Sequence, residues 1–132
     1  MINAATKEAT TSTRKSGDVK ALDAQLNQMI IAGDILAAFD KFYADDVVMQ
    51  ENTTDPFKGK ELNREREQKF VQSVEKIHGV QLLGSAVQDD RTYSEWELDI
   101  TFKGGPRTKM SQVAARQWKN GKIAFERFYY KG

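Results

Sequence analysis

From Arg91 to Phe102 the chain alternates without interruption. Ser94, Trp96, Leu98, Ile100 and Phe102 fall on one side, and Tyr93, Glu95, Glu97, Asp99 and Thr101 on the other. A period of two marks a strand with one buried face. The apolar side must be the covered one, because unpaired carboxylates are costly to bury. The acidic side then reads in two ways: as a solvated sheet face, or as a stripe meeting basic side chains such as Lys109 or Lys119 across a dimer interface. Residues 80–87, 108–118 and 122–130 also have strand character, and "QDDR", "KGGPR" and "KNGK" separate them as hairpin connections.

Ahead of these strands the period is helical. Val19, Leu22, Leu26, Met29 and Ile30 form one apolar stripe, with Asp18 placed to cap its start. "AGD" closes it: Gly33 suits the left-handed C-terminal position and Asp34 the cap of a second helix. That helix puts Ile35, Leu36, Phe39, Phe42 and Tyr43 on its buried side. "DDVVMQEN" predicts a strand over 47–52, and "TTDPFKGK" a loop with turn chemistry at Asp55-Pro56 and Gly59. "ELNREREQKFVQSVEKI" predicts a third helix, charged outside, with a seam of Leu62, Phe70, Val74 and Ile77. Helices followed by an antiparallel meander define an α+β fold with the helices on one face of the sheet. Residues 1–17, rich in Thr, Ser and Ala, are expected to be a flexible tail, and 18–132 a single domain.

The closing hairpin poses a question of charge. Glu126 and Arg127 are neighbours in a strand, so one of them faces inward. A two-residue Asn-Gly turn would pair Lys119 with Lys122 and bring Ile123, Phe125, Arg127 and Tyr129 to the face of Trp118. A three-residue loop, with Gly121 in a left-handed bulge position, would pair Trp118 with Lys122 instead. Ala124, Glu126, Phe128 and Tyr130 would then share a face with Met110, Gln112, Ala114, Arg116 and Trp118. The second arrangement sets Arg116 diagonally from Glu126, within reach of a charge-assisted pair. The first leaves Arg116 and Arg127 together with no acid from this hairpin. Charge compensation favours the second, although such pairs are more often structural than catalytic.

Composition narrows the chemistry. With 20 basic and 19 acidic residues the net charge is +1, so no concentrated basic surface for nucleic acid is expected. No cysteine is present, which removes disulfides, thiolate metal sites and thiol nucleophiles. The one histidine, His78, cannot make a zinc site alone. It is expected to begin the first meander strand, just after the third helix, as a half-exposed imidazole capping the helix end, with a proton shuttle as the functional alternative. Neither a cofactor nor a metal is expected. The first residues have no apolar run of the kind that marks a secretory signal, and no segment has the apolar length to span a membrane. A cytoplasmic protein is the default.

With helices, loop and meander in place, the chain resembles the nuclear transport factor 2-like superfamily, in particular SnoaL-like domains and ketosteroid isomerases. The resemblance lies in "AGDILAAFDKFYADDVVMQEN", the loop ending in "FKGKE" and the closing "WKNGKIAFERFYY", and it spans about residues 18–131. It implies a cystatin-like cone of three N-terminal helices packed on a strongly curved antiparallel sheet, with an apolar cavity open at one end. It also implies a homodimer through the outer sheet face. Met49, Trp96, Gln112, Ala114, Trp118, Phe128 and Tyr130 would line a small-molecule site, with simple core packing as the alternative for each aromatic.

The same resemblance places acid–base groups. The isomerases' general base corresponds to Glu51, five residues after Asp46. A carboxylate beside an apolar cavity is a sensible proton acceptor. Their oxyanion-binding tyrosine and protonated aspartate correspond to Leu26 and Ala114, which have no donor, and SnoaL-type cyclases use an acid close to the latter position. One oxyanion donor is worth about 2.7–4 kcal/mol of barrier, so Arg116 is the inward candidate to replace it. Glu51, Glu126 and Arg116 are therefore the catalytic candidates. The expected function is acid–base chemistry of isomerase, cyclase or hydratase type on an apolar, oxygen-bearing substrate. The alternative is a non-catalytic metabolite-binding or dimerisation domain.

Overall fold

The computed structural model describes residues 16–131. The tail expected over 1–17 lies outside the described residues, apart from Ser16 and Gly17, which open the first helix. The elements are α1 (Ser16–Ile31), α2 (Ile35–Phe42), β1 (Tyr43–Glu51), β2 (Phe57–Lys58), α3 (Lys60–Ser73), β3 (Val74–Gln88), β4 (Arg91–Phe102), β5 (Arg107–Lys119) and β6 (Lys122–Tyr130). They form the expected α+β arrangement of three helices on a curved sheet.

The stop between α1 and α2 follows from backbone chemistry. Gly33 has φ 88°, a left-handed conformation that an L side chain would strain. This turns the chain so that the Gly33 N–H donates to the Ile30 carbonyl at 3.0 Å and the Asp34 N–H to that of Met29 at 2.9 Å, the paired bonds of a Schellman motif. The short, apolar α2 then buries Ala38, Phe39 and Phe42. Phe39 stacks on Tyr43 with ring centroids 4.6 Å apart, and Phe42 meets Trp118 edge-on at 6.2 Å. These residues, with Val19, Leu26, Val47, Met49 and Ile123, make up the core.

The six strands run in the order β2-β1-β6-β5-β4-β3. Neighbours are antiparallel except β1 and β6, which are parallel. The sheet is therefore mixed, and the long crossover that a parallel pair requires is supplied by α3 and the strands after it. Along β4 the buried positions are Thr92, Ser94, Trp96 and Ile100, while Tyr93, Glu95 and Glu97 are exposed, as the alternation predicts.

Three local expectations are corrected. The third helix ends at Ser73, and the residues through Ile77 belong to β3, where Val74 pairs with Phe102 and Ile77 with Ile100. Cross-strand pairing of these β-branched residues overrides a helical spacing that was marginal to begin with. His78 consequently lies within an exposed strand, its Nε2 2.7 Å from Thr101 Oγ1. The seam of α3 is rotated from the expected one: Leu62 is 44% exposed, and Asn63, Glu67 and Phe70 occupy the inner face. Finally, β1 begins at Tyr43, which is a strand residue.

The last hairpin resolves the charge question by an unexpected route. Asn120 and Gly121 have φ 53° and 78°, and Lys119 opposes Lys122. This is the two-residue turn with both central residues left-handed, so the three-residue loop does not form. The register then shifts: Trp118 pairs with Ile123 but Gln117 with Phe125, leaving Ala124 as the extra residue of a bulge. The bulge reverses the alternation, so Ile123 and Glu126 both point inward. Glu126 stands directly opposite Arg116 rather than diagonal to it.

Candidate functional site

Arg116 anchors a buried polar cluster at the narrow end of the fold. Its Nε donates to Glu126 Oε2 at 2.8 Å, and Nη1 donates to Asp23 Oδ1 at 2.8 Å and Asn27 Oδ1 at 2.9 Å. Asp23 also accepts from Thr92 Oγ1 at 2.7 Å, and that hydroxyl accepts from Trp118 Nε1 at 3.0 Å. Tyr43 donates to the other Glu126 oxygen at 2.5 Å. Arg116 is 2% exposed and Glu126 0%. Burial alone would disfavour the guanidinium's charge, but the carboxylates of Glu126 and Asp23 outweigh it, and the proton is held more firmly than in water. The Tyr43 hydroxyl is pushed well up by burial and then by Glu126, so it remains a neutral donor. Among the described residues, Arg116 Nη2 has no hydrogen-bond partner.

Toward the open end the same strands leave a cavity of about 960 Å³, within the range that holds a small molecule. Leu26, Phe39, Phe70, Trp96, Leu98 and Ile100 give it an apolar lining. Its polar wall is formed by Glu51, Glu67, Glu126, Arg66 and Arg116. Glu51 sits at the mouth, accepting from Tyr130 Oη at 2.8 Å and facing Arg66 Nη2 at 3.4 Å. Arg66 lies over the Phe57 ring, 3.6 Å from its centroid, and donates to Asn63 Oδ1 at 3.0 Å. Asn63 in turn donates to the Phe57 and Gly59 carbonyls, both at 2.9 Å, which fixes the start of α3. Glu67 is half-buried and lacks a hydrogen-bond partner among the described residues. Its carboxyl is raised to about 7, first by desolvation and then by Glu126, with Glu51 adding to the effect and Arg66 opposing it. Among the described residues no group of three His, Asp or Glu is arranged to hold a metal ion.

The residues named from sequence separate into two places. Met49, Trp96, Gln112, Phe128, Tyr130, Glu51, Glu126 and Arg116 all border the cavity. Tyr130 is 38% exposed, a rim residue rather than part of an inner wall. Ala114 and Trp118 also point inward but are packed into the closed end, and neither borders the cavity. Asp23, Asn27, Tyr43, Arg66 and Glu67 were missed. Asp23 and Asn27 follow Val19 at steps of four within the apolar face of α1, a polar interruption that signals a buried cluster. Glu67 and Phe70 lie four and seven residues after Asn63, so the inner face of α3 was readable once Asn63 was recognised as its anchor.

A curved sheet with helices on one face and a cavity with polar groups gathered on one wall define a cone-shaped α+β domain of the nuclear transport factor 2-like kind. The family model for the SnoaL-like domain matches residues 19–130, and the chain belongs to that family. A candidate SnoaL-like polyketide cyclase from Mesorhizobium loti, also termed a carbohydrate phosphatase, is 31% identical with a TM-score of 0.76, over 85% of this chain and 98% of that one. A candidate SnoaL-like polyketide cyclase from Jannaschia sp. CCS1 shares the fold, with a TM-score of 0.74 at 8% identity over 94% and 91% of the two chains. So does a nuclear transport factor 2-like protein of unknown function from Burkholderia xenovorans LB400, with a TM-score of 0.69 at 17% identity over 87% and 84%. None of the curated proteins matches this chain.

Proposed function

We propose that this SnoaL-like domain binds an apolar, oxygen-bearing small molecule and carries out acid–base chemistry on it. The observation that carries this reading is the asymmetry of the cavity: carboxyls and guanidiniums are gathered on one wall, and the rest of the lining is largely apolar. A guest with a greasy body and one polar end would seat in a single orientation. Arg116 Nη2 would donate to the oxygen that gains negative charge, replacing the donors absent at Leu26 and Ala114. Glu126 holds that guanidinium in place from the far side, and Glu51 with Tyr130 and Arg66 orients the guest at the mouth. The cyclase name of the Mesorhizobium loti protein is of this reaction type.

The test is a panel of terpenoid and aromatic ketones, lactones and epoxides presented in native mass spectrometry and thermal-shift assays. One-to-one complexes are expected with the wild type and not with Leu98→Trp, which fills the cavity from β4. Binding that survives Leu98→Trp would remove the cavity from consideration, and no binding across the panel would leave the domain without a small-molecule role.

The outer sheet face supports a homodimer. Tyr93 on β4 and Tyr129 on β6 are exposed large aromatics there, in register with Ala115 and Val113. Sedimentation of a Glu97→Lys variant tests whether the acidic stripe takes part; an unchanged dimer would exclude it.

A further inference from the structure

Among the described residues three carboxyls border the cavity, and they differ in what already holds them. Glu126 is bound on both oxygens, by Arg116 at 2.8 Å and by Tyr43 at 2.5 Å. Glu51 is likewise engaged on both, by Tyr130 at 2.8 Å and Arg66 at 3.4 Å. Donors on both oxygens stabilise a carboxylate in its charged form and make it a weaker base, since each bond must be weakened as a proton arrives. Glu67 has no such engagement among the described residues. It projects from the inner face of α3, a helix anchored at its start by Asn63, and it borders the cavity half-buried. Across the same wall, Arg116 is almost fully buried and its Nη2 has no protein acceptor among the described residues. An unsatisfied buried guanidinium donor calls for an acceptor from outside the chain.

We propose that Glu67 is the proton-transferring residue of this cavity, working opposite Arg116 Nη2, with Glu51 and Glu126 as fixed charges. The assignment rests on the acid–base reading above and names the residue that performs it. In the ionised state Glu67 removes a proton from the guest. The electron pair left behind moves onto the guest's oxygen, which takes hydrogen bonds from Arg116 Nη2. Glu67, now a carboxylic acid, returns the proton to another atom of the same guest, so no oxidant, reductant or further reactant is consumed. The surroundings suit this cycle. Glu67 faces Tyr43 and Glu51 of β1 and Glu126 of β6, with Arg66 on its own helix. From α2 and β3, apolar side chains such as Ala38, Phe39, Ile77 and Val80 border the cavity. Desolvation and the two nearby carboxylates hold its titration at about 7, where acid and base forms are both populated at neutral pH.

The test uses 5-nitrobenzisoxazole, a small apolar molecule that opens to a coloured cyanophenolate when a base takes its carbon-bound proton and the N–O bond breaks. The expected wild-type rate exceeds that of carboxylate buffer and rises through an inflection near pH 7. Glu67→Gln should lower the rate by roughly 10²-fold, the lower range for a positioned general base, and abolish the inflection, while Glu67→Asp keeps one. Glu51→Gln should move the inflection to lower pH by removing a negative neighbour, and Arg66→Gln should move it up. A Glu67→Gln variant that keeps both rate and inflection overturns the assignment to Glu67 and leaves the acid–base reading to another carboxyl. No wild-type rate above buffer overturns both. Independently of turnover, carboxyl-¹³C NMR of glutamate-labelled protein should show one resonance titrating near pH 7 that disappears in Glu67→Gln; its absence from the wild type also overturns the proposal.

Discussion

The two ends of the cone are built by the same strands and behave as different materials. At the closed end β4 and β5 contribute Thr92, Ser94, Ala114, Arg116 and Trp118, all buried; Thr92, Ser94 and Arg116 are hydrogen-bonded to Asp23 or Asn27 of α1, and Trp118 to Thr92. At the open end the same strands contribute Leu98, Phe102, Thr108, Met110 and Gln112, which are only partly covered. The pleat continues unchanged from one end to the other, so strand geometry does not create the difference. What changes is the supply of partners. α1 lends Asp23 and Asn27 to the closed end, while the open end receives apolar side chains that stop short of filling it. A cavity in this fold is thus a place where packing is withheld, and its polar wall lies where the two regimes meet.

Breaking the closed end should have the largest effect. Arg116→Met leaves Glu126 and Asp23 as uncompensated buried charges, and urea unfolding should record a loss of about 3–5 kcal/mol. Truncation sharpens the contrast. Ile123→Ala in the closed end should cost about 2–5 kcal/mol, the usual penalty for a void in a packed core. Leu98→Ala, beside space that already exists, should cost about 1 kcal/mol, because fewer contacts are lost.

Glu67 lies on the boundary, and its effect depends on pH. Its carboxyl is raised to about 7 from an ordinary value of 4.5, so the folded state prefers the protonated form. That contribution to stability is complete below pH 4.5 and is lost as pH rises through about 7. Glu67→Gln should therefore be more stable than the wild type by about 3 kcal/mol at pH 8 and indistinguishable near pH 4. The smallest effect belongs to the mouth: the Glu51–Arg66 pair is partly exposed at 28% and 27%, and Glu51→Gln should change stability by less than about 1 kcal/mol.

What the sequence disclosed follows the same division. The strict alternation of β4 and the stop at Gly33 are local signals, and both were legible. Glu126 was placed inward by an argument from charge balance that held even though the turn supporting it did not. The bulge at Ala124 cannot be read from "KNGK", because it arises from packing Ile123 and pairing Glu126 simultaneously, a demand made by the rest of the fold. Glu67 was obscured for a related reason: on a helix as charged as α3, only its spacing of four from Asn63 marks a glutamate that faces the cavity, and that Asn63 is the inward anchor is itself a property of the fold. Its surroundings come from β1 and β6, remote in sequence.

The position of β6 between β1 and β5 has a consequence for how the chain reaches this state. The strand that emerges from the ribosome after all the others is the one that joins the sheet's two halves. Until it is released, β1 and β2 with their helices cannot seal against the meander, and the edges of β1 and β5 stand open to other chains. Closure of the sheet therefore waits until residues 122–130 have been made, and the long sequence separation between β1 and β6 predicts slow closure. Losing residues 122–130 would split the molecule rather than merely shorten it.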